Sequence, residues 1–407
     1  MIPSFRLIKT RLAIMMFLQY VVMGAVWPII SLYLKQVLGF SGTQAGTILA
    51  MSAVAAFVAP TVGACVADRW ISAERLLGLC HFSAAICMGL ISLQTRFGAV
   101  LALYLAYTIS MGPTVPLTNA ITFHHAPDGQ QKFGYTRVWG TIAWVVVAWG
   151  FGYLWLGKAT GDAANVSRLP DALKLSALAS LALGAYALTL PNAGKRIRGK
   201  ISLVPMESIR VLLQPQVLLI AGISLFIGII DRYYYFGTAL FLKHRGFSEA
   251  NIMPIMSLGQ IAEIVAMCIL ARMLTRLGTK RTLLLGLLAE IGRFAAFAFG
   301  TSTFSVLAGN ACHGLAYTFY FTAVYITLDA FCDKQSRTGL HQLFTIVTSG
   351  FGALSANLLG GYCLDRFVNA PVIADYRTFW GVPLVMAVIS FAVLAVFLKD
   401  TPKAPTA

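Results

Sequence analysis

An arginine inside a long apolar run is the feature of this chain that points most directly to chemistry. Arg137 begins a run that continues past Gly150. A guanidinium group keeps its proton in proteins and is costly to place in hydrocarbon, so we expect Arg137 to face a water-filled cavity, a buried acid or both. In a helix, Thr141 and Trp144 lie on the same face, because they follow at i+4 and i+7. This face offers a cation, a hydroxyl and an aromatic wall to a ligand.

A second polar pair, Gln260 and Glu263, lies in another apolar run. The i, i+3 spacing places both side chains on one face of a helix. A carboxyl group near the middle of a span is a candidate proton carrier, and the neighbouring amide adds two donors and an acceptor. The alternative is a buried polar pair that links this helix to a neighbouring one.

Two further runs carry titratable side chains beside tyrosines. In the first, Asp231 and Tyr234 fall on one side of a helix, and we expect no direct pairing of Asp231 with the adjacent Arg232. Either Asp231 lines a cavity or it forms an ion lock at the outer side. In the second, His313 and Tyr317 repeat at i, i+4, which favours a cavity-lining face over a purely structural histidine.

Three other features carry less chemical information. Glu290 and Arg293 stand at i, i+3, and we interpret them as a structural ion pair within one helix. Asn119 follows Pro116 in a stretch where a loosened helix exposes backbone carbonyl groups. Gln19, in the first apolar run, is a further candidate for substrate binding.

The composition predicts the class of protein. Of 407 residues, 58% are apolar and 11% are charged, whereas a soluble domain carries about 25% charged residues. We therefore predict a polytopic protein embedded in a lipid bilayer. The net charge of +16 is spread over short loops, so we expect no nucleic-acid partner. The seven cysteines form no CxxC or Cys/His cluster, and no nucleophile–base pair occurs, so we expect no metal, no cofactor and no enzymatic activity.

A membrane-spanning helix needs about 20 apolar residues, and this length predicts an all-α protein with twelve spans. The predicted spans are 12–35, 45–67, 75–95, 98–122, 134–156, 173–190, 217–241, 251–273, 282–300, 303–328, 339–363 and 377–398. Basic residues in the resulting inner loops outnumber those in the outer loops by roughly two to one, which predicts that both termini are cytoplasmic.

The longest connection divides the spans six and six. We predict an N-terminal bundle at 1–191, a cytoplasmic linker at 192–216 and a C-terminal bundle at 217–407. Short basic turns at 67–78 and 274–286 occupy the same place in each half, which indicates two six-helix repeats. Twelve spans, cytoplasmic ends and these turns resemble the major facilitator superfamily, and they imply its fold of two six-helix bundles.

Ordered motifs along the chain are similar to those of the nucleoside:proton symporter family within that superfamily. They are Phe17-Leu18-Gln19 with Gly24 and Trp27, Pro113 with Asn119, Arg137-Val138-Trp139-Gly140-Thr141, Leu190-Pro191, Phe236-Gly237, Gln260 with Glu263, and Thr348-Ser349-Gly350-Phe351-Gly352. The resemblance implies that Arg137, Thr141, Trp144, Gln260 and Glu263 line the nucleoside pocket.

The chain departs from the family pattern in two spans. The family's Gln and Asn of span seven correspond to Asp231 and Tyr234, and its Tyr, Phe and Asp of span ten correspond to His313, Tyr317 and Thr318. Without that acid in span ten, Asp231 or Glu263 carries the proton, or the protein is a facilitator.

We therefore expect a monomeric secondary transporter that takes up a nucleoside with protons across a bacterial inner membrane by alternating access. The predicted substrate-binding residues are Gln19, Asn119, Arg137, Thr141, Trp144, Asp231, Tyr234, Gln260, Glu263, His313 and Tyr317. Glu263 and Asp231 are the predicted proton-coupling residues, and Arg137 pairs with one of them until protonation releases it to the substrate. The alternative is a proton symporter for an aromatic acid or a sugar, because a related family has a similar Arg-x-Trp-Gly run.

Overall fold

Helices make up all the regular structure of the described residues. The computed structural model describes residues 5–62, 71–125, 130–158, 166–191, 206–333, 336–368 and 375–399, and these ranges contain no strand. The α-helices are Phe5–Val26, Ile30–Leu32, Gly42–Ala50, Ser52–Val62, Ala73–Ile91, Phe97–Met111, Thr114–His125, Gln130–Trp149, Pro170–Ala187, Met206–Leu212, Pro215–His244, Glu249–Phe299, Thr303–Ala316, Ala323–Asp329, Arg337–Thr345, Gly352–Cys363 and Tyr376–Phe397. An apolar chain in lipid adopts helices because they pair every backbone N–H and C=O group within one segment.

Several of these helices continue through tighter or wider turns. The π-helical segments are Tyr33–Val37, Gly150–Trp155, Tyr317–Thr322, Ile346–Phe351 and Leu364–Val368, and Leu156–Lys158 is a 3-10 turn. Such π turns inside α-helices are rare and occur frequently at functional sites.

Eight helices within the described ranges are long and apolar enough to cross a membrane. They are Leu7–Val37, Ala73–Ile91, Phe97–His125, Phe133–Lys158, Pro215–His244, Glu249–Phe299, Arg337–Val368 and Tyr376–Phe397. The protein is therefore an all-helical, multi-pass membrane protein. The predicted count of twelve is not confirmed by this criterion. One continuous helix covers two of the predicted spans, 251–273 and 282–300. The described helices within the predicted spans 45–67, 173–190 and 303–328 do not meet the length and hydropathy criterion.

A backbone break interrupts the Glu249–Phe299 helix. Gly278 has φ 80° and ψ 171°, which is not helical, and glycine adopts a positive φ without a steric penalty. The break lies in the basic stretch 274–286, so the turn predicted there is confirmed. Residues 67–70 of the matching turn at 67–78 lie outside the described residues.

The chain forms two compact units. The first unit comprises Met1–Ile201 and Leu242–Pro254, and the second comprises Ser202–Phe241 and Ile255–Ala407. Residues 192–205 of the predicted linker lie outside the described residues. The remaining part of the linker, 206–216, contains the helix Met206–Leu212.

The first unit packs long helices through apolar side chains and small residues. Its core includes Leu12, Met16 and Leu183, which are nearly inaccessible to solvent. The Phe5–Val26 helix packs against the Gln130–Trp149 and Pro170–Ala187 helices. Glycine pairs such as Gly78 and Gly184 allow this closeness, because a Cβ atom on Gly78 would lie 3.1 Å from the Gly184 carbonyl oxygen.

The second unit also depends on glycines where helices cross. A Cβ atom on Gly228 would lie 2.6 Å from the carbonyl oxygen of Thr348, and one on Gly259 would lie 2.8 Å from the His313 ring. Membrane helices associate mainly through close packing, so these glycines set how near the polar side chains approach one another.

Candidate functional site

Arg137 lies on the Gln130–Trp149 helix of the first unit, where its guanidinium stacks on an aromatic ring. The Cζ atom is 4.2 Å from the centroid of the Tyr20 ring. Gly140, one turn along, makes room for that ring, since a Cβ atom there would lie 2.5 Å from Tyr20. A cation over an aromatic face is stabilised by about 0.5–2 kcal/mol. Tyr20 is thus a partner of Arg137 that the sequence analysis did not identify.

Trp144 and Thr141 continue the face that Arg137 begins. Trp144 is buried and packs against Gly24, where a Cβ atom would approach the indole to 3.4 Å. Its ring meets Trp27 edge to face, with centroids 6.1 Å apart. Thr141 is partly exposed. Arg137, Thr141 and Trp144 therefore share one helix face as predicted, and the aromatic group on that face is buried.

Gln19 is fully buried and uses both ends of its amide inside the first unit. Its Nε2 donates to Thr114 Oγ1 at 3.0 Å, and its Oε1 accepts from His81 Nε2 at 2.9 Å. These bonds fix the orientation of the amide, whose oxygen has a second lone pair that can accept another hydrogen bond. His81 and Thr114 were not predicted, because neither shows a helical spacing with Gln19 in the sequence.

Within the part of the chain that the structure describes, two buried amide oxygens have no hydrogen-bond partner, one in each unit. They are Asn119 Oδ1 in the first unit and Gln260 Oε1 in the second. A buried acceptor without a donor costs about 1–3 kcal/mol, so such atoms are rare unless a ligand or water satisfies them. The helix before Asn119 is interrupted at residues 112–113, within the predicted loosened stretch.

A buried ionic cluster lies in the second unit. Arg293, Glu290, Asp231 and His313 are each at most 7% exposed. Arg293 pairs with Glu290 one turn back on the same helix, and this predicted pair is confirmed. The guanidinium also reaches another helix, where Nη1 lies 2.6 Å from His313 Nδ1. Arg293 therefore links its ion pair with Glu290 to His313, which is one of the predicted site residues.

Asp231 lies beside the same histidine. Its Oδ1 is 3.9 Å from His313 Nδ1, and its Oδ2 is 3.8 Å from Arg232 Nε. The expectation that Asp231 and Arg232 do not pair directly is wrong, because the flexible Arg232 side chain turns back toward its neighbour. The contact is long and Arg232 is partly exposed, so it balances Asp231 only weakly.

Two tyrosines hold the His313 ring. The Tyr234 ring stacks on it with centroids 4.7 Å apart and planes 18° apart, and the Tyr234 hydroxyl donates to Asn310 Oδ1 at 3.0 Å. The Tyr235 hydroxyl lies 3.2 Å from His313 Nε2. Neither Tyr235 nor Asn310 is among the residues predicted for the site.

Glu263 and Tyr317 lie at the more open part of the second unit. Glu263 is partly exposed, and Tyr317 is 38% exposed at the start of a π-helical segment. The helices that carry them pack closely, since a Cβ atom on Gly314 would collide with the backbone of Gly259 and Glu263. Thr318 is fully buried, and its hydroxyl lies 3.5 Å from the Glu263 carbonyl oxygen.

The structure therefore groups the predicted residues within each unit. Arg137, Thr141 and Trp144 share one helix face of the first unit, and Gln19 belongs to a separate hydrogen-bond network there. Asp231, Tyr234 and His313 form one cluster in the second unit. Fixed charges and rings inside an apolar helical protein are typical of a membrane transporter.

Comparisons with known proteins agree with this class. A sequence profile described as nucleoside H+ symporter matches residues 7–403. The putative nucleoside transporter YegT of Escherichia coli (strain K12) is 30% identical, over 98% of this chain and 95% of that protein. The xanthosine permease of the same organism is 26% identical, over 94% of this chain and 95% of that protein. A crystal structure of a mutant of the nucleoside transporter NupG superimposes with a TM-score of 0.85 at 23% identity, covering 96% of this chain and all of that one.

The fold is that of the major facilitator transporters. The chain belongs to the nucleoside H+ symporter family, so it is a transporter that couples nucleoside uptake to protons, and not an enzyme.

Proposed function

We propose that the protein is a monomer that spans the bacterial inner membrane twelve times, with both termini in the cytoplasm, and imports a nucleoside by alternating access. The excess of basic residues in the predicted inner loops supports this orientation. The eight long apolar helices are compatible with twelve spans, because the Gly278 break divides one of them and shorter helices cover the remaining predicted spans.

The unpartnered amide oxygens of Asn119 and Gln260 carry the proposal for substrate binding. A nucleoside presents N–H and O–H donors on its base and ribose, and these donors satisfy buried acceptors. We propose that Trp144 or Tyr317 contacts the planar base, and that Arg137 and Thr141 bind polar atoms. The other residues of the proposed set are Gln19, Asp231, Tyr234, Glu263 and His313.

We propose that Glu263 and Asp231 take part in proton coupling. Both are carboxylic acids in apolar helices of the second unit, where an ion without compensation is costly. Protonation removes that charge, so the energy of each state of the transport cycle depends on whether the proton is bound. Uptake against a gradient then falls as the external pH rises.

A binding panel tests the substrate class. Purified protein is assayed for thermal stabilisation by uridine, adenosine, xanthosine, a sugar and a phenyl-carboxylic acid at two pH values. Stabilisation by nucleosides alone supports the proposal. Stabilisation by the aromatic acid or the sugar alone supports the alternative symporter and contradicts it.

An uptake assay tests the proton carrier. Glu263→Gln in vesicles is expected to abolish nucleoside accumulation and to leave nucleoside exchange measurable. If this variant still concentrates the nucleoside, Glu263 is not required for proton coupling.

A further inference from the structure

The hydrogen bond between Arg293 and His313 has a direction that chemistry determines. Arg293 Nη1 lies 2.6 Å from His313 Nδ1. A guanidinium has donors and no acceptor, so Nδ1 accepts and the proton of the neutral imidazole is on Nε2. Nε2 lies 3.2 Å from the Tyr235 hydroxyl oxygen and donates to it. Arg293 thus selects one tautomer of His313.

A carboxylate faces the same nitrogen without bonding to it. Asp231 Oδ1 lies 3.9 Å from Nδ1, which is longer than a hydrogen bond. The stacked Tyr234 ring and the backbone of Gly259 confine the imidazole, so it does not rotate freely. Nδ1 therefore has two possible partners, and its protonation state decides which one it prefers.

We propose that His313 is a proton-binding site of the coupling reaction, and that its Nδ1 changes partner from Arg293 to Asp231 when the proton binds. This inference rests on the proposed function. The proton occupies the Nδ1 lone pair and displaces the Arg293 donor. The new Nδ1–H donates to the Asp231 carboxylate, while Nε2–H still donates to Tyr235. Arg293 remains paired with Glu290, and loss of the proton restores the first arrangement.

The charged groups around the ring act on it in opposite directions, because carboxylates favour an imidazolium and guanidinium groups oppose it. Those that face it or act on its partners are Arg232, Arg293, Asp231, Glu290 and Glu263, together with the Tyr235 hydroxyl and the rings of Tyr234 and Tyr317. In the proposed protonated state, the imidazolium pairs with Asp231 and Arg293 pairs with Glu290. Each of these two cations then has an anion beside it, which apolar surroundings require.

The first test is the pH profile of uridine uptake in vesicles. His313→Gln keeps an acceptor for Arg293 and a donor for Tyr235 but binds no proton. We expect the ratio of uptake at about pH 6 to uptake at about pH 8 to fall to about one, whatever the level of uptake that the variant keeps. His341→Gln is the matched control, because His341 lies 2.9 Å from Asp329 in a separate cluster of the same unit. An unchanged profile for His313→Gln overturns the inference.

A second pair of variants tests the partner exchange. The double variant Glu290→Met with Arg293→Met removes the guanidinium bonded to Nδ1 together with the carboxylate paired to that guanidinium. The neutral ring then loses the donor that stabilises it, so we expect the midpoint of the pH profile to rise by about one unit. Asp231→Asn removes the anion that favours the imidazolium, so the midpoint of the pH profile is expected to fall. Unshifted midpoints in folded variants overturn the proposed role of Arg293 and Asp231.

A substrate-free measurement separates this inference from the proposed function. The melting temperature of the purified wild type and of His313→Gln is followed against pH. We expect the wild type to show a transition that His313→Gln lacks, whichever solute is transported. Absence of nucleoside uptake by the wild type contradicts the proposed function, whereas identical melting profiles contradict the proton site alone.

Discussion

In the first unit, the network around Gln19 joins an amide, a hydroxyl and an imidazole, with no carboxylate among them. In the second unit, the network around His313 joins two carboxylates, a fully buried arginine and two tyrosines. The Gln19 network holds helices together without a buried ion pair. A network with buried charges responds to a single proton, because each charge depends on its neighbours. This difference is why we propose that the coupled proton binds in the second unit.

The largest expected effect comes from breaking the buried pair of the second unit. Glu290→Met or Arg293→Met alone leaves one uncompensated charge, so we expect each to lower the free energy of unfolding by about 3–5 kcal/mol. The double variant is expected to lose less than the sum of the two. Chemical denaturation in detergent measures the three values, and additive losses contradict the pairing.

A smaller effect is expected from Arg137 in the first unit. Arg137→Lys keeps the charge but loses the planar group that stacks on Tyr20, so we expect nucleoside affinity to fall about tenfold, or ~1.4 kcal/mol. Isothermal titration measures the affinity. The exposed Arg96→Lys is the control, and equal affinities for both variants contradict a role for the stacked guanidinium.

The network around Gln19 predicts a still smaller change that does not depend on proton coupling. His81→Leu removes one hydrogen bond between helices, which is worth about 0.6 kcal/mol in membrane proteins and at most about 1.7. We expect lower stability with an unchanged pH profile of uptake. A shifted pH profile indicates that the first unit also binds the coupled proton, which breaks the comparison between the units.

The smallest effect is expected at Asp375, which caps the Tyr376–Phe397 helix. The Thr378 hydroxyl and amide donate to this carboxylate and lower its pKa below the ordinary value of 3.8. Its contribution is therefore complete above that value and is lost as the pH falls through the lowered pKa. Asp375→Ala is expected to cost about 1 kcal/mol of stability near neutral pH.

A matched variant separates the cap from its titration. Asn is also a good N-cap residue, so Asp375→Asn is expected to keep most of the stability at neutral pH. Its stability is no longer expected to fall at acidic pH through protonation of this side chain. Thermal unfolding between neutral and acidic pH measures both variants. Equal losses for Ala and Asn indicate that charge rather than capping stabilises this helix end.

Local sequence patterns were sufficient to predict the class of protein and to predict which residues share a helix face. Apolar runs in lipid have to be helical, so the spans were readable, although the count of twelve exceeds the eight helices that meet the length and hydropathy criterion. The basic stretch at 274–286 predicted the turn that Gly278 makes. The i, i+3 spacing of Glu290 and Arg293 predicted their pair.

Contacts between helices distant in sequence were decided only by the tertiary structure. Nothing in the spacing of Gln19, His81 and Thr114 indicates that they meet, since they lie in three separate helices. Arg293 already has a partner in Glu290 on its own helix, so no pattern in the sequence pointed to its second partner, His313. Helical periodicity determines which way a side chain points. Close packing at small residues such as Gly259 determines what it touches.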